Sequence, residues 1–224
     1  MAGSAAATTA ASEATQPDPR SAGALQAPAP RLILASASAS RRALLAAAGL
    51  RFDVMPAAMD EAAVKADVRA RGGTATQAAL ALAEQKAASV TDPDALVIGC
   101  DQILVCNNTW FDKPPTLPAA RAQLLALRGH PHDLVTATVC RRKGNVVWRH
   151  IEVPRLVMRD FSEAFLESYL AAEGEAVLTS VGAYRLEGRG MHLFDAIEGE
   201  HSAILGLPLM ALLGFLRQSG ILTS

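Results

Sequence analysis

Leu32, Ile33 and Leu34 form a short apolar run, a serine-rich stretch follows over residues 35–39, and Ala43, Leu44 and Leu45 then recur at helical spacing. That order predicts a strand, a loop and a helix, with Ser40 as N-cap and Gly49 as the stop. Residues 52–55 read as a second short strand leading to Met59, Asp60 and Glu61. Over residues 76–89, Leu80, Ala83 and Ala87 share one helical face, with Lys86 near the C-terminal end, where the helix dipole also favours a cation. Two apolar triplets, Leu96-Val97-Ile98 and Ile103-Leu104-Val105, flank Gly99, Cys100, Asp101 and Gln102. They are either halves of one strand or the arms of a hairpin that turns at the polar pair.

Further along, Pro118 opens a helix that Gly129 closes after Leu127. Residues 132–140 and 146–153 alternate as sheet strands do, and Ser162 caps a helix over 162–171. Residues 182–190 are glycine-rich around Tyr184, Arg185 and Glu187, which calls for tight backbone geometry. The final helix, 207–219, is apolar on most sides and should be buried. Strands and helices mix without internal repeats, so the fold class is α/β, one domain over 31–224 with a curved mixed sheet flanked by helices. Residues 1–30, rich in Ala, Ser, Thr and Pro, have no apolar periodicity and read as a disordered tail.

Half of the 224 residues are apolar, enough for a substantial core. The formal charge is −1, from 21 basic and 22 acidic residues, so no bulk field draws the chain to nucleic acid or an anionic membrane. The longest apolar run, residues 203–216, contains Pro208 and is too short to span a bilayer. Cys100, Cys106 and Cys140 are odd in number and lack C-x-x-C spacing, which suits reduced thiols in the cytoplasm. The first thirty residues lack the apolar core of a signal peptide and carry only Arg20 as a basic residue, a poor transit peptide.

Local chemistry is more telling than bulk charge. Arg41 and Arg42 fall in the first turn of a predicted helix, where each cation opposes the macrodipole by about 0.3–1 kcal/mol. A bound phosphate would reverse that sign, and the hydroxyls of Ser36, Ser38 and Ser40 add donors to the same cup. The alternative is that both arginines point into water. Asp101, set between apolar triplets, is expensive to desolvate unless a cation, a metal or a turn compensates it. His130 and His132 have H-x-H spacing, but no third ligand is near in sequence, so a structural role is preferred to a metal site.

Taken in order, these motifs resemble the Maf family of nucleoside triphosphate pyrophosphatases. The resemblance runs through Leu34-Ala35-Ser36-Ala37-Ser38 with Arg41, Asp60-Glu61, Lys86-Ala87, Ile98-Gly99-Cys100-Asp101-Gln102, Asp112-Lys113-Pro114, Gly182-Ala183-Tyr184 with Glu187-Gly188, and Gly206-Leu207-Pro208-Leu209. It implies a nucleotide cleft between two lobes and hydrolysis of a nucleoside triphosphate to monophosphate and pyrophosphate, with Mg²⁺ or Mn²⁺. Asp101 falls on the family's acidic catalytic position, and Glu61 with Asp101 on the metal-holding positions. Ser36, Arg41, Lys86 and Lys113 fall on phosphate ligands, with Arg42 a further phosphate contact.

Ser40, Gln102 and Glu187 fall on base-discriminating positions. The Asp101-Gln102 pair and the acid at Glu187 look like the branch that includes enzymes acting on 7-methyl-GTP. Three departures bear on the base: Ala39 replaces the usual proline, Ser40 is small where some of that branch carry an aromatic, and residues 178–181 lack the common Lys-Ala-Gly wording. The family also implies a role in cleansing the nucleotide pool and a homodimer. A different class, a non-catalytic nucleotide-binding regulator of cell division or septation, is the rival expectation.

Overall fold

The structure is a computed structural model and describes residues 25–223. The greater part of the expected tail, residues 1–24, lies outside the described residues. Residues 25–30 of that expected tail are among the described residues. Gln26 is buried, its amide bonding to the backbone N–H and carbonyl of Arg51, and Ala27 N–H donates to the Ile221 carbonyl.

The chain opens with β1 (Arg31–Leu34), α1 (Ala39–Ala47), β2 (Asp53–Val54), α2 (Glu61–Ala70) and α3 (Ala75–Ala88). Next come β3 (Ala95–Cys106), β4 (Thr109–Phe111), α4 (Leu117–Leu127) and the strands β5 (Pro131–Arg142), β6 (Asn145–Glu152) and β7 (Arg155–Met158). After α5 (Glu163–Glu173) the chain makes three 3-10 turns, Gly174–Thr179, Val181–Ala183 and Arg189–Leu193, then β8 (Phe194–Glu198), α6 (His201–Ile204) and α7 (Leu209–Gln218). The strands join in one open mixed sheet, in the order β2-β1-β3-β5-β7-β8, with β4 added to β3 and β6 to β5. β1 runs parallel to β2 and β3, and the remaining pairings are antiparallel. The expected α/β class with a mixed sheet and flanking helices is therefore observed.

Several local expectations change. The N-cap of α1 is Ser38, whose hydroxyl accepts from the Arg41 N–H at 3.3 Å, so the helix starts two residues earlier than a cap at Ser40 would allow. Gly49 does stop the helix, with φ of 73°. Residues 99–102 do not turn; they continue β3, with Asp101 opposite Ala137 and Gln102 opposite Thr136 on β5. The helix α2 was not anticipated, although Asp60 accepts from Ala63 N–H as its N-cap and Val64 and Val68 are one turn apart. Short strands β4, β7 and β8 were also missed, being only three to five residues long. The last helix is half-buried: Leu212 and Leu216 face the core, while Met210 is 65% exposed. Among the described residues no helix is long and apolar enough to cross a membrane.

Packing divides the core around the two long central strands. One cluster joins Leu124 and Leu127 of α4, Leu166 and Tyr169 of α5 and the 3-10 segments to Leu104 and Leu134. Another packs α1 and α7 on Leu32, Leu34, Leu96 and Ile98. A third lays Ala75, Ala78, Ala79, Leu82 and Ala83 of α3 on Ile103, Val135, Ala137 and Val139. The period of two along β3 places Gly99, Asp101 and Ile103 on the face that meets α3. A Cβ at Gly99 would lie 2.1 Å from the Ala83 carbonyl oxygen and 2.7 Å from Ala87 N, so only glycine permits this approach of helix to strand. The approach brings Lys86 of α3 to Asp101.

Candidate active site

The sheet and helices enclose a cleft of about 880 Å³, within the usual size of a small-ligand site. At its base three side chains form a compact charged cluster. The Lys86 ammonium lies 2.7 Å from Asp101 Oδ1 and 2.7 Å from Glu61 Oε1. Lys86 and Asp101 are 7% and 4% exposed, whereas the Glu61 side chain, at the N-terminus of α2, is 45% exposed. Asp101 Oδ2 is buried and has no hydrogen-bond partner among the described residues. An unpartnered carboxylate oxygen is costly in a folded interior, which marks this atom as one that a ligand or water must serve.

Electrostatics separates the two acids. Burial raises the pKa of Asp101 above the ordinary value, with Lys86 opposing but not cancelling the shift. Burial also works against the Glu61 carboxylate, yet its hydrogen bond and ion pair with Lys86 leave it below the ordinary value. One cation thus sits between two acids whose pKa values are displaced in opposite directions.

Arg41 projects into the cleft from the first turn of α1 and is 8% exposed. Its Nε donates to the Gly206 carbonyl at 2.7 Å, and its Nη1 donates to the Cys100 carbonyl at 2.9 Å and to Ser36 Oγ at 3.1 Å. A Cβ at Gly206 would come within 3.1 Å of Arg41 Nε, so the glycine in the α6–α7 turn leaves room for the guanidinium. These bonds fix the plane of the fork and occupy none of the Nη2 hydrogens. A fixed guanidinium with donors to spare is preorganised for an anion.

Of the residues singled out from sequence, Ser36, Ser40, Arg41, Glu61, Lys86, Asp101, Gln102, Lys113 and Glu187 all line the cleft. Arg42 does not; it is exposed one position on around α1, where the helix turns it away. Gln102 faces α6, its amide nitrogen bonding to Thr136 Oγ1 and the carbonyls of Ala203 and Ile204. Its oxygen is left as an acceptor. Glu187 accepts from Ser40 Oγ at 3.4 Å, joining the α1 turn to the glycine-rich segment.

Lys65, Asp112 and Arg185 also line the cleft, though none was given a site role from sequence. Lys65 had a signal, since it stands four residues after Glu61, the spacing of neighbours on a helix; Asp112 stood in the Asp112-Lys113-Pro114 motif and Arg185 in the glycine-rich segment. Of the H-x-H pair, His130 is exposed. His132 is buried, Nε2 lying 2.9 Å from the Tyr184 hydroxyl, and burial lowers its pKa to about 4. Among the described residues no group of three or more His, Cys, Asp or Glu side chains could hold a metal alone.

Burial, and then the charge of Arg41, lower the pKa of Lys113. A lysine that must be charged to hold an anion loses activity as pH rises through its pKa. The alkaline limb of kcat/KM for anion turnover should therefore lie below the ordinary lysine value of about 10.4, and Lys113→Arg should move that limb to higher pH. A pH–rate series on both proteins checks this; an unmoved limb would take Lys113 out of the ionisations that matter.

Sequence comparison relates the chain to known proteins. A family model described as Maf-like protein matches residues 31–219. The chain is 55% identical over 195 residues to the nucleoside triphosphate pyrophosphatase of Granulibacter bethesdensis, spanning 86% of this chain and 99% of the relative. It is 53% identical over 190 residues to a protein of the same name from Paramagnetospirillum magneticum, spanning 84% and 98%. It is also 47% identical over 193 residues to the 7-methyl-GTP pyrophosphatase of Rhizobium meliloti, spanning 85% and 97%. Matched along most of its length by the family model and by relatives this similar, the chain belongs to the Maf-like protein family.

Proposed function

We propose that the chain hydrolyses nucleoside triphosphates to nucleoside monophosphate and pyrophosphate, a reaction that clears unwanted nucleotides from the pool. The observation that carries this reading is the unpartnered Asp101 Oδ2, buried beside Lys86 at the base of a cleft that also presents Arg41 and Lys113. Water attacks the α-phosphorus, the bond to the bridging oxygen of the β-phosphate breaks, and pyrophosphate leaves. Asp101 accepts the water proton through Oδ2 while Lys86 holds Oδ1, and its raised pKa makes it a better base than an ordinary aspartate. Arg41 and Lys113 neutralise phosphate oxygens, Ser36 helps fix the Arg41 fork, and charge developing on the leaving group meets donors already in place.

A divalent cation fits the donors present. Glu61 and Asp101 offer oxygen ligands only, and the unpartnered Asp101 Oδ2 serves either as a metal ligand or as the base, the two roles competing for one atom. Two carboxylates suit Mg²⁺ or Mn²⁺ when phosphate oxygens and water complete the shell. When bound, the ion supplies Lewis-acid neutralisation of the phosphates.

For the base, the cleft offers acceptors: the Gln102 amide oxygen and the Glu187 carboxylate. Acceptors suit the N–H and amino donors of a guanine edge, and a carboxylate also offsets the charge of a 7-methylated ring. The name of the Rhizobium meliloti relative supports the inclusion of 7-methyl-GTP among the substrates. Action in the cytoplasm is part of the same reading, supported by three unpaired buried cysteines. So are a homodimer and a lack of nucleic-acid or membrane partners, the latter supported by the formal charge of −1.

A panel of standard and 7-methylated triphosphates with Mg²⁺ or Mn²⁺, scored for pyrophosphate release, tests the reading. Guanine nucleotides should rank first, and Glu187→Gln should flatten that ranking with little effect on the least favoured substrates. Release from no member of the panel would reject the activity in favour of nucleotide binding alone. An unchanged ranking would remove Glu187 from base recognition.

A further inference from the structure

Three cations are buried among the described residues, Arg41, Lys65 and Lys86, and the proposed reaction uses only two of them. Lys65 is the remaining one. It lies on α2 one turn after Glu61, and it is the only buried residue of that helix. A helix whose single buried side chain is a lysine is not positioned mainly by apolar burial. Val64 and Val68 make partial contacts with the α3 cluster, and the rest of the helix is open to solvent.

What Lys65 meets is the Asp112 carboxylate, in a direct ion pair whose lysine side chain is 10% exposed and whose aspartate is 63% exposed. Asp112 immediately precedes Lys113 in the loop between β4 and α4. That loop is itself anchored, because Gln123 of α4 donates to the Asp112 carbonyl at 2.7 Å. Further along the same face of α2, the Arg69 guanidinium lies 4.3 Å from the centre of the Trp110 ring on β4. Glu61, Lys65 and Arg69 are spaced by four, so one face of α2 sends its first charge to Lys86 and the next two to the β4 region.

We propose that the Lys65–Asp112 pair is a positioning clamp that sets the distance across the cleft between Glu61 and Lys113. Lys65 touches no phosphate; it acts through Asp112 by holding α2 against the loop that carries Lys113. This role rests on the pyrophosphatase reading for its effect on turnover, though not for its effect on the helix. Misplacing groups by about 1 Å costs up to about a hundredfold in rate, so a released α2 should be felt mainly in kcat.

The test compares Lys65→Met, Asp112→Asn, the double variant, and the reversed pair Lys65→Asp with Asp112→Lys. Each single variant should lower kcat for pyrophosphate release at least about tenfold while KM changes by less than about threefold. The double variant should be no worse than the poorer single, and the reversed pair should recover part of the loss. Amide hydrogen exchange over residues 61–70 should quicken in both single variants and slow again in the reversed pair, a readout that needs no turnover.

A large rise in KM for Lys65→Met with Asp112→Asn unaffected would make Lys65 a phosphate ligand and overturn the clamp, as would additive losses. Unchanged exchange in α2 would overturn it as well. If the unaltered protein released no pyrophosphate, the functional reading would fall, and the exchange data would still decide whether the clamp exists.

Discussion

Replacing Asp101 by asparagine is expected to lower kcat at least about a hundredfold while the protein keeps its fold. Asparagine preserves the shape and a contact to Lys86, yet its amide cannot take a proton from water. Stability should not suffer. Burial raises the pKa of Asp101 in the folded state, so its contribution to stability is greatest below the unfolded value of about 3.9 and is lost as pH rises through the raised folded value. Above the raised folded value the natural protein carries the cost of an ionised, desolvated carboxylate, and the asparagine variant does not. Its melting temperature at pH 7 should equal or exceed that of the unaltered protein. Near-normal turnover in a folded variant would remove Asp101 from the chemistry, and a sharp drop in melting temperature would contradict the electrostatic account.

Removing the cation from the same cluster should act in the opposite sense on stability. Lys86→Met leaves Asp101 buried with Glu61 close by and no ammonium between them. Breaking a buried pair from one side costs about 3–5 kcal/mol, because the remaining charge loses its compensation. The deficit should shrink as pH falls, since protonation of Asp101 relieves it. Turnover should drop by about a hundredfold or more, as the variant loses the group that orients Asp101 Oδ1. Thermal melts across pH 5–8, read beside turnover, check both parts. A deficit that did not vary with pH would show that Lys86 matters for packing and not for charge.

The two variants share a lesson about legibility. Asp101 could be picked out because an acid between Leu96-Val97-Ile98 and Ile103-Leu104-Val105 is unfavourable without compensation. Its partner could not be read from that fact, since Lys86 is fifteen residues away on another element and also fitted a helix C-terminus. Gly99 decides the matter by letting α3 touch the strand backbone. By helix electrostatics alone Arg41 and Arg42 were indistinguishable as neighbours in one helical turn, and only the family motif favoured Arg41. The fold separates them, because a one-residue step rotates a side chain by about 100° around the helix. Ser38, not Ser40, takes the cap and leaves Ser40 to reach Glu187.

The family resemblance supplied the residues expected to bind and cleave a polyphosphate; by itself the sequence pattern determined the α/β class, the order of the main strands and helices, and the isolated charges at Arg41 and Asp101. Those follow from periodicity, caps and the cost of isolated charges, which are local properties. Only the tertiary structure decided which charges meet: Lys86 shared between Asp101 and Glu61, the Arg41 fork fixed by the carbonyls of Cys100 and Gly206, and Lys65 tied to Asp112. The reason is physical. Each such contact joins residues on different elements, and its energy depends on distance and burial, which exist only once the sheet has paired and the helices have packed on it.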